Sequence, residues 1–368
     1  MKVGIITKIG KNYGAILQAY ALKQACDSLG FDTQIIQYTP DTSRRSYRVC
    51  PFIWGPRGSI MNLKALLHFV EYRQATKRFF DFRNKHFNFT PVYYKACQLN
   101  HQPPVCDIYI TGSDQVWNPQ ILFDDVYYLS FANPKQSRLV SYAASIGLSN
   151  LPENLKPQFK QRLSRLHDIT VREQCAQRLL QEMDISSSVV PDPTLLFTQQ
   201  EWNTQSRATI RPPYILCYFV SVTPGVKKII QQVQKSLNYP VVNLMLNEKS
   251  AGLGNIRIRN AGPQEFLGLF QNASFVITSS FHGTIFSVLN QKPFVTTLYQ
   301  NTQSRVQELL SSLQLQHRII SPANTNIAKY ITNPTYTPQS QQKLLQLRQV
   351  GWKELRRILQ VRVGENNE

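Results

Sequence analysis

The stretch KVGIITKIGKNYGAILQAYALKQACDSLGFDTQIIQYTP, residues 2–40, decides the fold. Lys2 to Thr7 is an apolar run of strand length, and Thr33 to Tyr38 is a second one. Between them, Asn12 to Leu29 places Leu17, Ala21, Ala25 and Leu29 along one helical ridge. Gly30 follows the last ridge residue, where the left-handed conformation that stops a helix favours glycine. Strand, helix and strand in that order make a βαβ unit, so the chain opens a parallel sheet.

The alternation continues outward. After a basic segment and a helix from about Met61 to Phe87, strands are expected at Asp107–Thr111 and Leu139–Ala143. A helix over Glu153–Leu166, a strand at Asp168–Val171 and a helix over Glu173–Glu182 follow. A strand around Val189–Phe197 leads through Pro191 and Pro193 into a polar stretch ending at Arg211-Pro212-Pro213, where a domain boundary is expected. The second half repeats the pattern, with strands at Tyr214–Val220, Val241–Leu246, Phe275–Thr278 and Phe294–Leu298. Its helices are expected over Gly225–Leu237, Gln264–Gln271, Gly283–Leu289 and Ser304–Leu313. The fold class is therefore α/β, with Rossmann-like domains at residues 1–197 and 198–335. Residues 336–368 form a terminal helix whose stripe of Leu344, Leu347, Gly351, Leu355 and Ile358 suits either domain.

Composition narrows the function. A chain of 368 residues exceeds the roughly 250 at which single cores stop growing. Its 42% hydrophobic and 17% charged content fits packed cores. No apolar run approaches the roughly 20 residues of a membrane helix. Met1 to Thr7 reads as a strand rather than a leader, which predicts a cytoplasmic protein. Six cysteines without a CxxC pair predict free thiols and no metal site. The formal charge of +19 calls for an anionic partner, substrate or membrane surface. No nucleic-acid recognition motif accompanies it. Arg44, Arg45, Arg48, Arg57, Lys64, Arg73, Lys77, Arg78, Arg83 and Lys85 face only Glu71 and Asp81 in the same stretch. Leu63, Leu66, Leu67 and Val70 add an apolar stripe that either dips into an anionic membrane or buries in the first domain.

Three strand-to-helix junctions carry candidate chemistry, because open α/β sheets bind ligands beyond the carboxyl ends of their strands. At the first, Asn12, Tyr13 and Gly14 open a helix whose unpaired N–H groups suit an anion or a hydroxyl-rich ligand, with Asn12 as a plain cap the alternative. The loop is not GxGxxG, so a nicotinamide or flavin is disfavoured. At the second, Ser113, Asp114, Trp117 and Asn118 pair a carboxylate for hydroxyl protons with an indole for sugar C–H faces. The alternative there is Asp114 as a cap and Trp117 as core. At the third, Ser279, Ser280, His282, Gly283 and Thr284 converge hydroxyls, an imidazole and helix N–H groups into a cradle for phosphate and carboxylate.

Six segments in order extend these junctions: Asn12-Tyr13-Gly14-Ala15-Ile16-Leu17-Gln18-Ala19-Tyr20-Ala21-Leu22, Gly112-Ser113-Asp114-Gln115-Val116-Trp117, Ser141-Tyr142-Ala143-Ala144-Ser145-Ile146-Gly147, Val171-Arg172-Glu173, Asp192-Pro193-Thr194-Leu195-Leu196 and Ser279-Ser280-Phe281-His282-Gly283. Together they resemble the polysaccharide pyruvyl transferase family. The resemblance implies two Rossmann-like domains across a cleft, as in GT-B glycosyltransferases, with the acceptor side in residues 1–197 and the donor side in 198–335. It implies phosphoenolpyruvate as donor, usually no metal, no further cofactor, and a saccharide acceptor, lipid-linked or free; the basic stretch from Arg44 to Lys85 adds the expectation of docking at the inner membrane face. The family's donor-binding histidine and arginine correspond to His282 and Arg172. Ser280 stands where some members carry an arginine, and Arg305 is the candidate substitute. His282 is expected to donate a proton or hold phosphate, and Asp114 to act as acceptor-side base. The alternatives are a GT-B glycosyltransferase using a nucleotide sugar, or a non-catalytic saccharide- or polyanion-binding protein.

Overall fold

A computed structural model describes residues 1–40, 63, 66–121, 123–246, 248–250, 252–299, 303–321 and 327–360. Cys50, Arg44, Arg45, Arg48, Arg57, Lys64 and the expected helix start at Met61 lie outside the described residues. The opening βαβ unit is β1 (Lys2–Ile6), α1 (Tyr13–Ser28) and β2 (Asp32–Ile35). Helix α2 (Phe69–His86) crosses to β3 (Ile108–Gly112), and β4 (Arg138–Tyr142) completes a parallel sheet of order β2-β1-β3-β4. A parallel pair, β5 (Thr170–Val171) and β6 (Ser188–Val189), extends this edge through bridges of Val140 with Asp168 and Ala144 with Val171. Helix α3 (Gln174–Gln181) joins the pair.

The strand expected to run from Val189 to Phe197 stops at Val189. Pro191 and Pro193 offer no N–H to a ladder. The chain turns instead at a short 3₁₀ segment, Pro193–Leu196, capped by the Asp192 carboxylate, which accepts from the Thr194 N–H. The helix expected over Glu153–Leu166 similarly opens with a 3₁₀ turn and is α-helical only over Lys156–Leu163.

The second sheet, of order β11-β10-β7-β8-β9, is also parallel. Its strands are β7 (Ile215–Tyr218), β8 (Val241–Leu244), β9 (Ile256–Ile258), β10 (Phe275–Thr278) and β11 (Phe294–Thr296). Edge strand β9, Ile-Arg-Ile, is too short and too exposed to show in the hydrophobic pattern. Helices α4 (Pro263–Asn272), α5 (Phe281–Leu289) and α6 (Gln303–Ser312) cover the sheet.

One continuous apolar cluster joins the lobes. Tyr13 at the start of α1 stacks on Phe266 of α4 at 4.7 Å, with Phe79 of α2 at 5.1 Å. Its hydroxyl donates to the Ala261 carbonyl at 3.0 Å. Helix α7 (Pro338–Ile358) returns to the first lobe, where the Trp352 indole donates to the Leu196 carbonyl at 3.1 Å and Arg138 Nε to the Ile358 carbonyl at 2.8 Å.

The basic face on α2 is smaller than the charge count implies. Arg78 turns inward and donates to the Asn260 carbonyl at 2.8 Å, and Arg83 is buried over the Phe89 ring at 4.8 Å. Arg73, Lys77 and Lys85 remain exposed, and so do Leu63, Leu66, Leu67 and Val70, against the expectation that the stripe buries in the first domain. No described helix is long and apolar enough to cross a membrane. Cys26, Cys97, Cys106, Cys175 and Cys217 are free thiols.

Gly351 sets how closely α7 approaches: a Cβ there would lie 2.7 Å from Leu196 and 2.8 Å from Pro191. Overpacking of this kind costs about 1–3 kcal/mol, more than the few tenths that valine gains over glycine in helix propensity. Gly351→Val is expected to lower the urea midpoint without changing the m-value.

Candidate active site

The carboxyl ends of β3, β4 and β10 meet where the lobes face each other. The backbone there is strained: Ser113, Asp114 and Ala143 adopt φ of 24°, 66° and 51°. Left-handed conformations in non-glycine residues cost on the order of 1–3 kcal/mol each and persist where the surroundings over-determine them. The Ser113 N–H donates to the Tyr142 carbonyl at 2.9 Å, and the Ser145 N–H to the Asp114 carbonyl at 3.0 Å. The bend directs the Asp114 carboxylate to 3.9 Å from Arg172 Nη2.

Asp192 is the centre of the cluster. Its Oδ2 accepts from Arg172 Nη1 at 2.8 Å and from Ser113 Oγ at 3.3 Å, and lies 3.4 Å from His282 Nε2. Oδ1 accepts from the Thr194 N–H and hydroxyl. Burial alone pushes this carboxyl upward, but the charges of His282 and Arg172 and the hydrogen bonds outweigh it, and the group sits well below the usual carboxylate range. Sequence reasoning misses Asp192. Its signal is an aspartate between two prolines at the end of a strand, a pattern that reads as a turn.

Arg172 is buried, flanked by Asp192, Glu173 (Nε to Oε2, 3.6 Å) and Asp114. Its Nε and Nη2 make no hydrogen bond to any described residue. Burial opposes its charge, and the three carboxylates more than restore it, so its pKa is raised. Glu173 in turn accepts from Ser145 Oγ at 2.6 Å and the Gly147 N–H at 3.1 Å.

Phe281, at the first turn of α5, carries two guanidinium groups near its ring: Arg172 at 4.7 Å and Arg305 at 5.5 Å. Arg305 comes from α6, so the two cations reach one cavity from different lobes. Burial, and then repulsion by Arg172, pushes Arg305 down to about 10. An anion entering there relieves both effects. The cavity, of about 120 Å³, is lined by these arginines, Asp192, Phe281 and Glu308, with Val190 and Leu309 among its apolar walls. His282 does not line it and meets it through Asp192. Glu308 clasps the lobes together, its carboxylate accepting from the Gln174 N–H at 2.6 Å and the Cys175 N–H at 3.2 Å at the start of α3.

Several expected binding residues have contacts within the fold. Trp117 is fully buried, its indole donating to the Tyr127 carbonyl at 3.1 Å and stacking on Tyr128. It is core, and no sugar reaches it. Asn12 caps α1 through Ala15 N, and Tyr13 is part of the inter-lobe stack. Gly14 admits the imidazole rather than a ligand, since a Cβ there would lie 2.0 Å from His282 Nδ1. Ser280 caps α5 through Gly283 N, and Thr284 bonds back to the Ser280 carbonyl. A Cβ at Gly283 would strike Thr278 Oγ1 at 2.3 Å. Ser279 Oγ donates to the Ser221 carbonyl. Asn118 is buried and accepts from the Gln120 N–H in the following turn. Among the described residues no three His, Cys, Asp or Glu side chains are grouped to hold a metal.

Known structures share this architecture. The chain superimposes on the UDP-GlcNAc 2-epimerase of Methanocaldococcus jannaschii in complex with UDP-GlcNAc and UDP with a TM-score of 0.51. Identity is 14%, and 94% of this chain and 99% of that one are covered. Arabidopsis thaliana UGT89C1 complexed with quercetin matches with a TM-score of 0.51 at 12% identity over 98% of each chain. The Rickettsia bellii UDP-N-acetylglucosamine 2-epimerase matches at 0.51 and 10% identity, covering 98% of this chain and 96% of that one. At these identities the likeness shows the fold alone. No curated protein matches the sequence. Two parallel α/β lobes enclosing a charged cleft define a GT-B-like protein, as expected. Residues 12–301 match the polysaccharide pyruvyl transferase family, and the chain belongs to it. That membership makes it a transferase acting on a saccharide acceptor.

The depressed Asp192 has a measurable consequence. The unfolded chain protonates this carboxyl near pH 4, the folded protein only at lower pH, so its stabilisation is complete above that range and lost as pH falls. Asp192→Asn is expected to cost about 3 kcal/mol at pH 7, since it leaves Arg172 without its closest partner. Its unfolding free energy should also fall less steeply than wild type between about pH 5 and pH 2, read by urea titration at each pH.

Proposed function

We propose that the protein transfers the enolpyruvyl group of phosphoenolpyruvate to two hydroxyls of a saccharide, forming a pyruvate ketal and releasing inorganic phosphate. The observation that carries this reading is the pair of guanidinium groups, Arg172 and Arg305, flanking the Phe281 ring in one cavity. Phosphoenolpyruvate bears a carboxylate and a phosphate on a three-carbon frame, and two planar cations in one small cavity suit its two anionic groups. Arg305 takes the part of the arginine that Ser280 replaces.

In this proposal the donor's methylene end extends from the arginine cavity past Asp192 to His282, which protonates it; that carbon becomes the ketal methyl group, and positive charge develops at C2. Asp192, facing the imidazole at 3.4 Å, fixes its orientation. One hydroxyl adds to C2, with Asp114 accepting its proton. Phosphate then leaves with the proton held by Asp114, and the second hydroxyl closes the ring, its proton returning to His282. No metal or further cofactor enters the proposal.

Incubation with phosphoenolpyruvate and saccharide acceptors tests the reading by phosphate release and by mass gain of the acceptor. Arg305→Ala is expected to raise the Michaelis constant for phosphoenolpyruvate by about 10- to 100-fold, the worth of a charged hydrogen bond. An unchanged donor constant removes Arg305 from the donor site. Release of a nucleotide from a nucleotide sugar, with none of phosphate from phosphoenolpyruvate, favours the glycosyltransferase alternative.

We also propose that the protein docks on an anionic membrane face, where a lipid-linked acceptor presents its sugar. Leu66, Leu67 and Val70 are exposed beside exposed Arg73 and Lys77. Basic residues near anionic lipid contribute about 1 kcal/mol each. Sedimentation with anionic but not neutral vesicles, reversed by salt and by Arg73→Gln with Lys77→Gln, is the expected result. Equal recovery in the supernatant with both vesicle types refutes it.

A further inference from the structure

A second cavity, of about 460 Å³, lies on the other face of α6. Residues 303 and 307, four apart on this helix, line it together with Ser304, whereas Arg305, Glu308 and Leu309 line the first cavity. One helix is thus a shared wall. Opposite stand Asn118, Gln120, Ser149 and Gly147 of the first lobe. The Gly147 N–H donates to Glu173 Oε1, and Glu173 Oε2 is 3.6 Å from Arg172 Nε. A single carboxylate therefore separates the wall of the second cavity from a guanidinium of the first.

The lining is chemically uniform. Among the described residues nine line it and none of them is charged, in a chain with 41 basic and 22 acidic residues. Four are carboxamides: Asn118, whose oxygen is held by the Gln120 N–H, and Gln120, Gln303 and Gln307, whose amides offer donors and an acceptor that match neighbouring sugar hydroxyls. Ile121 and Leu148 supply apolar surface for C–H faces. Gln120, Ser149, Gln303 and Gln307 are exposed, so the cavity opens to solvent and a longer saccharide extends outward.

We infer that this cavity is the acceptor subsite and that it takes an uncharged, hexose-type sugar unit rather than a uronate or a sugar phosphate. A carboxylate or phosphate seated there would lose hydration with no countercharge on the lining, whereas a neutral diol exchanges water for amide hydrogen bonds. The placement rests on the proposed transfer reaction, because the donor cavity shares the helix.

Saturation-transfer NMR with the methyl glycosides of glucose, galactose, mannose and glucuronic acid tests it. Wild type is expected to saturate at least one neutral glycoside and not the glucuronoside. The double variant Gln303→Ala, Gln307→Ala changes two exposed side chains and should weaken the neutral glycoside about tenfold or more. Its affinity for phosphoenolpyruvate should stay at the wild-type value. Equal saturation of the glucuronoside, none with any neutral glycoside, or undiminished binding by the double variant overturns the inference. Phosphate release is followed in the same samples: its absence with glycoside binding retained removes the transfer reaction and leaves the subsite standing.

Discussion

The buried carboxylate of Asp192 is the constraint on which the site depends. A charge removed from water is costly unless paired and hydrogen-bonded, and Asp192 is both. Arg172 and Ser113 reach it from the first lobe, His282 from the second, and Thr194 from its own turn. Holding these groups in place fixes the imidazole relative to the guanidinium. It also explains why β6 ends at Val189: continuing the strand would remove the turn that presents Asp192.

The surroundings are built to permit that meeting. Gly14 leaves room for the imidazole at the start of α1, and Tyr13 beside it locks α1 to α4 by stacking on Phe266. Adjacent residues thus bring the lobes together and hold open the space between them. Glu308 fastens α6 to the start of α3 from the other side. Arg305 consequently enters the same cavity as Arg172, where burial and then repulsion by that guanidinium lower its pKa.

Much of the fold was legible because hydrophobic periodicity reports burial within single elements. Strand β10 and the ridge of α1 carry patterns that only a buried strand and a helix satisfy. Roles set by distant partners were less legible. Trp117 beside Asp114 reads equally as a sugar platform or as core, and only the Tyr127 carbonyl and the Tyr128 ring decide for core. Arg78 and Arg83 count as surface charge in the sequence, yet Arg78 is half-buried against the Asn260 carbonyl and Arg83 is buried over Phe89.

By itself the sequence determined the βαβ alternation, the three strand ends where chemistry collects, and His282, Arg172 and Arg305 as the groups to watch. The alternation, the strand ends and His282 follow from local pattern and residue chemistry, which need no partner, whereas Arg172 and Arg305 were singled out by the family resemblance. Only the tertiary structure decided that Asp192 joins His282 to Arg172, that Gly14 serves an imidazole, and that Ser280 and Asn12 are caps. It also decided that α7 packs back onto the first lobe, through Trp352 and Leu196. Those facts are contacts between residues far apart in the chain, and a burial pattern along one element carries no information about which distant group fills the space beside it.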